Sequence, residues 1–409
     1  MVNCPRCGNE NSNKNKFCGN CGSKLPEPKI CPECGYTSFE EKFCVECGEQ
    51  LLSKNICKKI KSRMKEARNL ISVQYKIDEG IEIYDDVLNR VPDYLEAWDN
   101  KANTLKDLKR YDDAMQCINQ ALDINPYNIS LISTKAYILS AMKRYDESIE
   151  YIDGFLDEYP FDDLLFEVKG NLFGNMKNYE EAVKCYDKSL EINPKNRICV
   201  SLKLRALIKL KRYDEALKCC EFFKDDEFSY YRNIIKIYRQ MGEYDKALDC
   251  CEKLYKSNSN RYYVLLEKGN IYFDMKKYIA ALRCYNDVLD YIPNNLNALI
   301  GKSEVLIKKE NFDMARDVLS KCEPYDYLDW NKLALIYEKL NDFNKALECC
   351  DESLRINENY KALFLKAEIY FKLEDYDEAL KWANKALENN SSDELTELMN
   401  KIKKTQNSN

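Results

Sequence analysis

The sequence predicts an all-α protein, a solenoid of stacked helix pairs, preceded by a small module that metal ions hold together. Prolines stand at positions 92, 126, 160 and 194, three times at a spacing of 34 residues, which is typical of helix–turn–helix repeats. Glycine is scarce, with 12 residues in 409, as suits a mostly helical chain. The first fifty residues differ, because four cysteine pairs occur there at metal-ligand spacing.

The cysteine-rich start of the chain predicts two zinc sites. Each half of it contains two Cys-x-x-Cys pairs, and the second half repeats the first at an offset of about 27 residues. One such turn presents two thiolates to an ion, and two turns complete a tetrahedral site. The glycine after each pair lets the backbone turn without strain. The eight expected ligands of two structural Zn²⁺ ions are Cys4, Cys7, Cys18, Cys21, Cys31, Cys34, Cys44 and Cys47.

Residues 1–50 resemble the double zinc ribbon family, whose ligand pattern is matched at all eight of these positions. A site closed by four cysteines has no open coordination position, so we expect the zinc to be structural rather than catalytic. The segment carries six basic residues against seven glutamates and shows no strong phosphate-binding footprint. Its surface contacts protein, or contacts nucleic acid, or only caps the rest of the chain, with protein contact favoured.

Beyond residue 92 one short pattern recurs nine times. An aromatic residue is followed three positions later by a small one, which lets two helices cross closely while the aromatic fills the gap beside it. The aromatic positions are Tyr111, Tyr145, Tyr179, Tyr213, Tyr244, Tyr278, Phe312, Phe343 and Tyr376. The small positions are Ala114, Ser148, Ala182, Ala216, Ala247, Ala281, Ala315, Ala346 and Ala379.

This part of the chain, residues 93–390, resembles the tetratricopeptide-repeat family through nine consecutive units. The resemblance implies a right-handed superhelix of helix pairs whose first helices line a concave groove. Before it we expect a basic linker or helix start at 51–60 and a degenerate unit at 61–92. After it we expect a capping helix and tail at 391–409, since the end units of a solenoid are atypical.

The degenerate unit still follows the helical pattern, with Ile77 at the aromatic position and Gly80 at the small one. We expect its first helix to start early, with Ser53 as the N-cap. Its buried face is expected to carry Ile56, Ile60, Met64 and Ala67. At the other end of the chain, residues 403–409 are expected to form a frayed tail.

The period shortens twice. The next aromatic follows 31 residues after Tyr213, and again 31 residues after Phe312, so a second helix or its exit loop loses three residues. At the first of these points Leu204 and Ile235 occupy positions that are small in the earlier units. We predict a change of curvature near residues 222–232, with harmless drift in a tolerant repeat as the alternative.

Five basic residues mark the expected partner-binding groove. By the family pattern, the first helices of the fourth and fifth units turn Arg205, Lys209, Arg232, Lys236 and Arg239 toward it. A basic centre in a chain with a net charge of −6 suggests a groove for an acidic peptide or helix, or for a C-terminal carboxylate. A solvated helix face is the alternative.

Members of the family that bind chaperone tails use a carboxylate clamp, and this chain departs from it. Lys65, Asn69 and Asn100 match three of its five positions, but Ser130 and Thr134 replace the two remaining basic residues. We therefore do not expect binding of chaperone tails.

Composition excludes most catalysis. The chain has no histidine, so Ser-His-Asp and Cys-His chemistry are impossible, and no nucleophile stands beside a base. The sequence has no apolar leader and no run of about 18 apolar residues that could span a membrane. We expect a cytoplasmic, non-enzymatic protein whose helix cysteines are packing residues, because a reducing compartment suits 20 cysteines without a disulfide framework.

The function that these features favour is a protein–protein interaction scaffold. The groove is expected to bind a peptide or helix of a partner, and the zinc ribbons to offer a second recognition surface. The alternative is a nucleic-acid-associated factor that uses the ribbons together with the basic stretch 54–68, which has seven basic residues against Glu66 alone. The partner's identity, the pathway and the oligomeric state are left open.

Overall fold

The computed structural model describes residues 2–3, 10–11, 18, 20, 25, 29–31, 37–38, 54–72, 76–256, 260–389 and 392–406. The chain forms two compact units, Met1–Cys219 and Cys220–Asn409. In both units consecutive helices pack against each other in chain order. The all-α repeat fold expected from the sequence is confirmed.

Two short antiparallel hairpins open the first unit. β1 (Val2–Asn3) pairs with β2 (Glu10–Asn11), and β3 (Lys29–Ile30) pairs with β4 (Thr37–Ser38). The second hairpin repeats the first at an offset of 27 residues, which matches the duplication of the cysteine pairs.

The helices of the first unit start where the recurring aromatic and polar signals place them. Asn128 and Asp162, for example, accept the backbone N–H of Leu131 and Leu165 and so cap their helices. The helices are α1 Lys54–Ser72, α2 Ile77–Arg90, α3 Leu95–Asp107, α4 Tyr111–Ile124, α5 Ile129–Ala141, α6 Tyr145–Glu158, α7 Asp163–Asn175, α8 Tyr179–Ile192, α9 Arg197–Lys209 and α10 Tyr213–Cys220.

The second unit begins with a 3-10 turn at Glu221–Phe223 and continues with helices of the same kind. These are α11 Glu227–Met241, α12 Tyr244–Lys256, α13 Arg261–Asp274, α14 Tyr278–Tyr291, α15 Leu296–Lys308, α16 Phe312–Leu319, α17 Tyr327–Lys339, α18 Phe343–Ile356, α19 Tyr360–Lys372, α20 Tyr376–Asn389 and α21 Asp393–Gln406.

A left-handed residue ends the first helix of each pair from α3 to α19. After α3, for example, the N–H of Arg110 bonds the carbonyl of Leu105, which satisfies a helix-end carbonyl. Glycine fits this conformation best, yet most of these positions are not glycine. They are Lys109, Lys143, Lys177, Lys211, Gly242, Lys276, Glu310, Asn341 and Glu374, with φ between 56° and 64° for the non-glycine residues.

The small residues of the repeat lie where helices cross. All nine predicted small positions, from Ala114 to Ala379, have a relative exposure of 0 %. Ser148, the one hydroxyl among them, donates a hydrogen bond to the carbonyl of Ala136 at 2.7 Å. The aromatic partners are half-buried, except that Phe312 is 43 % exposed. Such complete burial of a small residue is what a close helix crossing requires.

The two shortened periods remove residues from second helices. α10 and α16 each have 8 residues, whereas the other second helices from α4 to α20 have 13 or 14. Leu204 and Ile235 are both buried. The change of curvature near residues 222–232 stays a prediction.

Two expectations about the ends of the chain were wrong. In α1 the buried residues are Cys57, Ile60, Met64 and Ala67, while Ile56 is 45 % exposed. The buried set follows the 3-4-3 spacing of a helix face, and Ile56 lies about 100° away from Cys57 around the axis. Ser53, the expected N-cap, lies outside the described residues.

At the C-terminal end, α21 continues to Gln406, so residues 403–406 are helical rather than part of a tail. The side-chain amide of Gln406 donates to Asp377 at 2.8 Å and so holds the last turn of α21 against α20.

The cysteines within the helices are packing residues. Cys220, Cys251 and Cys350 have no exposed surface, and burial raises the pKa of the Cys251 and Cys350 thiols to about 12. No helix in the described ranges combines the length and apolarity needed to cross a membrane.

Prediction: replacing Lys143 with glycine stabilises the first unit. Lys143 holds φ at 61°, which costs an L-residue more than it costs glycine, so we expect the free energy of unfolding to rise by about 0.5–1 kcal/mol. Gly242→Ala is the matched reverse change, since φ is 78° and an added Cβ meets nothing within 4 Å. It should lower the free energy of unfolding by about 1 kcal/mol. Urea unfolding followed by circular dichroism measures both, and shifts of the same sign would contradict the strain argument.

Candidate functional site: the zinc segment and the groove clefts

Of the eight expected zinc ligands, the structure describes Cys18 and Cys31. Both are buried, with relative exposures of 3 % and 1 %. The side-chain amide of Asn11 in β2 donates a hydrogen bond to Sγ of Cys18 at 3.6 Å. This contact brings β2 beside Cys18. The other six ligands, Cys4, Cys7, Cys21, Cys34, Cys44 and Cys47, lie outside the described residues.

The arrangement fits a thiolate site. In the sequence, Cys4 and Cys7 fall between the paired strands β1 and β2, and Cys31 directly follows β3, which pairs with β4. A hairpin turn presents both thiols of a Cys-x-x-Cys pair on one side, and amide donors to sulfur are the usual support of such a site. The helix α1 packs against β3, so the zinc segment and the first helix are in contact.

Two tyrosines hold an asparagine in a fixed position in the first unit. Nδ2 of Asn171 in α7 donates to the hydroxyl oxygen of Tyr137 in α5 at 3.0 Å. The hydroxyl of Tyr186 in α8 donates to Oδ1 of Asn171 at 2.9 Å. Burial raises the pKa of both phenols, so each keeps its proton over the physiological range. Asn171 is thereby held in one orientation.

The ring of Tyr186 reaches Asn171 because Gly170 has no side chain. A Cβ at Gly170 would lie 2.5 Å from Cε1 of Tyr186. The preceding residue, Lys169, forms an ion pair with Asp153 on the previous second helix. Each member of the triplet Lys169-Gly170-Asn171 therefore has its own contact. This arrangement was not predicted from the sequence.

The same triplet recurs in the second unit as Lys268-Gly269-Asn270. Lys268 pairs with Glu252 at 2.6 Å, and the hydroxyl of Tyr285 donates to Oδ1 of Asn270 at 2.9 Å. The recurring triplet and a tyrosine 15 residues after its asparagine could have revealed the motif from sequence.

Two of the five predicted groove residues line one cleft. Arg205 and Lys209 stand one turn apart on α9 and border a cleft of about 240 Å³ together with Asn171, Asn175 and Tyr186. Both cations are exposed, and no carboxylate in the described ranges forms an ion pair with either. The two cations stand beside the oriented amide of Asn171 and the exposed amide of Asn175. This set of groups suits the binding of a carboxylate-bearing segment.

The three predicted groove residues of the second unit differ in availability. Nε of Arg239 lies 2.6 Å from Asp274, and its guanidinium lies 3.8 Å from Glu267, both on α13. Arg232 and Lys236 are exposed, and Arg232 lies 5.8 Å from the ring of Phe228. Arg239 is therefore already neutralised within the protein.

Further along the second unit the neighbouring repeats also neutralise each other. Lys339 in α17 pairs with Glu304 in α15 at 2.8 Å, and Lys372 in α19 pairs with Glu338 in α17. The two members of each pair lie 35 and 34 residues apart in the sequence, which is about one repeat. Glu304, Lys339 and Glu338 border a second cleft, of about 500 Å³, with Phe273 at its apolar end.

The positions of a chaperone-type clamp are occupied by a local network. The hydroxyls of Ser130 and Thr134 donate to the two carboxylate oxygens of Asp99 at 2.6 and 2.5 Å. A clamp needs positive charge at these positions, and here a carboxylate accepts both donors. The structure agrees with the sequence expectation that the clamp is incomplete.

Comparison with protein families covers both parts of the chain. The double zinc ribbon model matches residues 4–48, and tetratricopeptide-repeat models match residues 95–128, 168–196 and 331–394. The chain contains tetratricopeptide repeats, preceded by a double zinc ribbon segment. A fifth model, described as ChAPs (Chs5p-Arf1p-binding proteins), matches residues 227–354 of this repeat protein.

Solved structures similar to this repeat protein share little sequence with it. A tetratricopeptide repeat protein from Parabacteroides merdae is 13 % identical over 75 % of this chain and 98 % of its own, with a TM-score of 0.38. The APC/C hetero-tetramer Cut9-Hcn1 is 14 % identical over 82 % of this chain and 79 % of its own, with a TM-score of 0.34. The structure of Naa15/Naa10 bound to HypK-THB is 15 % identical over 82 % of this chain and 64 % of its own, with a TM-score of 0.35.

Prediction: Gly170→Ala destabilises the repeat protein, because the methyl group would displace the Tyr186 ring. We expect a net loss of about 1–2 kcal/mol of unfolding free energy, the cost of overpacking reduced by the better helix propensity of alanine. Gly154→Ala on α6 is the control, since an added Cβ there meets nothing within 4 Å and should stabilise by up to about 1 kcal/mol. Thermal unfolding measures both, and equal shifts would remove the role assigned to Gly170.

Proposed function

We propose that the eight cysteines bind two structural Zn²⁺ ions, one in each half of residues 1–50. The buried thiols of Cys18 and Cys31, the N–H···S contact from Asn11 and the duplicated hairpins support this. Zinc supplies stability that so short and polar a segment lacks. A site closed by four cysteines has no open coordination position for catalysis, so the role that we propose for the ribbons is recognition.

Prediction: the purified chain contains close to two zinc ions per molecule, and Cys18→Ser reduces this to about one. Asn11→Ala should keep both ions but weaken one site about 10–100-fold in a chelator competition, because the thiolate loses its amide donor. Cys57→Ser, a buried cysteine of α1 outside the ligand set, is the control and should retain both ions. Native mass spectrometry gives the stoichiometry, and an unchanged zinc content in Cys18→Ser would reject the ligand assignment.

The repeats and ribbons support a non-enzymatic scaffold for protein–protein interaction, and we infer that it works in the cytoplasm. In the proposed organisation residues 1–50 are the ribbons, 61–92 a degenerate unit after the linker 51–60, 93–390 nine repeats and 391–409 a cap and tail. The match to the ChAPs model supports a binding role for residues 227–354, because that family's description names binding proteins. The partners in that description belong to that family.

The partner segment that we propose is an acidic peptide or helix. The single observation that carries this proposal is the cleft on α7 to α9, where Arg205 and Lys209 have no carboxylate partner among the described residues and lie beside the fixed Asn171. Arg232 and Lys236 extend the proposal to the second unit. Arg239 belongs to it only if the partner displaces Asp274.

A second candidate function rests on α1. Its lysines Lys58, Lys59 and Lys61 are exposed, whereas Arg63 and Arg68 are paired with carboxylates. A cationic helix face beside the zinc segment suits nucleic acid, and this would show as binding that weakens steeply with salt. The acidic-peptide function is preferred, because the cleft adds oriented amide and phenol groups to its charge.

Prediction: Arg205→Glu with Lys209→Glu weakens binding of a glutamate-rich peptide at least tenfold, since two charge-assisted contacts become repulsive. Lys58→Glu with Lys59→Glu changes the net charge equally and should leave peptide binding unchanged. Fluorescence anisotropy with the full chain measures both pairs, alongside a labelled single-stranded RNA. If the α1 variant loses RNA binding and the cleft variant keeps its peptide binding, the nucleic-acid function replaces the scaffold function.

A further inference from the structure

An exposed aromatic cluster lies on the first unit, and none of its residues lines the cleft at Arg205. Phe161 is 83 % exposed, Tyr127 is 60 % exposed, and Tyr159 and Leu164 are each 46 % exposed. The rings of Tyr127 and Tyr159 meet edge to face with centroids 6.1 Å apart, which joins the loop after α4 to the loop after α6. We call these four residues the aromatic edge. Contiguous exposed apolar groups of this kind mark interaction sites.

The fold does not need these side chains. The loop after α6 is fixed by its backbone, since the N–H of Asp162 bonds the carbonyl of Tyr159 and the Asp162 carboxylate caps α7 at 2.9 Å. The next loop of the same type has Asn193 and Lys195 in the places of Tyr159 and Phe161. The aromatic residues therefore expose apolar surface at positions where the repeat accepts polar residues. Exposure of this surface to water is unfavourable unless a partner covers it.

The surroundings of the aromatic edge are strongly acidic. From Tyr145 to Glu167 the sequence has nine carboxylates and no lysine or arginine. Asp157 and Glu158, at the end of α6, are exposed directly beside Tyr159, and Asp123 is exposed at the end of α4. Lys195 in the following loop marks where the acidic region ends. This charge repels nucleic acid and anionic lipid and attracts cationic protein.

We propose that the aromatic edge binds a Lys/Arg-rich protein segment with apolar side chains between its charges. The aromatic rings take the apolar side chains and the aliphatic stems of lysine or arginine, and the carboxylates pair with the cationic groups. This surface is separate from the cleft at Arg205, so the scaffold holds two partners of opposite charge. The proposal extends the scaffold function and does not depend on the acidic-peptide assignment.

The test uses the full chain and a labelled peptide in which lysine and leucine alternate, followed by fluorescence anisotropy. Tyr159→Ser with Phe161→Ser should weaken binding about tenfold or more, because exposed anchors are removed without disturbing the core. Asp157→Lys with Glu158→Lys should weaken it similarly and reduce its salt dependence. Tyr325→Ser is the control, since Tyr325 is 74 % exposed in the second unit and should not matter. Unchanged circular dichroism shows that each variant is folded.

Other outcomes overturn the proposal. Equal binding of the peptide by the aromatic-edge variant and the wild type would place the contact elsewhere. Equal binding of a serine–leucine peptide would show adhesion without charge recognition. Self-association that Lys58→Glu with Lys59→Glu abolishes would assign the surface to α1 of a second copy instead. The Arg205→Glu, Lys209→Glu variant should bind the basic peptide normally, so failure of the acidic-peptide function remains distinguishable.

Discussion

This fold depends on one kind of contact, in which two helices cross closely at a residue with a very small side chain. At each of the nine small positions, from Ala114 to Ala379, no surface remains exposed. Larger residues there would force the pair apart, and the dispersion contacts of the neighbouring aromatic would be lost. The left-handed residue after each first helix follows from the same constraint. The chain must reverse within two or three residues, and it does so even where lysine has to adopt a positive φ.

The cleft in the first unit is a consequence of this packing. Gly170 admits the ring of Tyr186, and the hydroxyl of that ring orients Asn171 toward the surface that Arg205 and Lys209 border. The binding groups are thus held by the core rather than by flexible loops, which lowers the entropic cost of ordering them for a partner. The repetition of the arrangement around Tyr285 indicates that the solenoid can offer more than one such orientation point.

Charge is sorted along the surface of the first unit. The cleft is cationic and unpaired, while the aromatic edge lies in a run of carboxylates without a single basic residue. Further along the second unit, charges neutralise each other from one repeat to the next, as in Lys339 with Glu304. Exposed pairs of this kind contribute little to stability, but they remove charge that a partner could otherwise use. In the proposed function, specificity for partners comes from the few described places where charges remain uncompensated.

The sequence by itself determined the repeat, the helices and the zinc-ligand pattern, because each depends on local spacing. A small residue three positions after an aromatic, or a Cys-x-x-Cys pair before glycine, carries the same meaning wherever it occurs. The tertiary structure alone decided which of the basic residues are available, because their partners lie a whole repeat away. Arg239 is neutralised by Asp274, which lies 35 residues further along the chain. Arg205, on an equivalent helix, has no such ion pair among the described residues. It also decided that Ile56 faces solvent, since the face of α1 that is buried depends on how α2 packs against it.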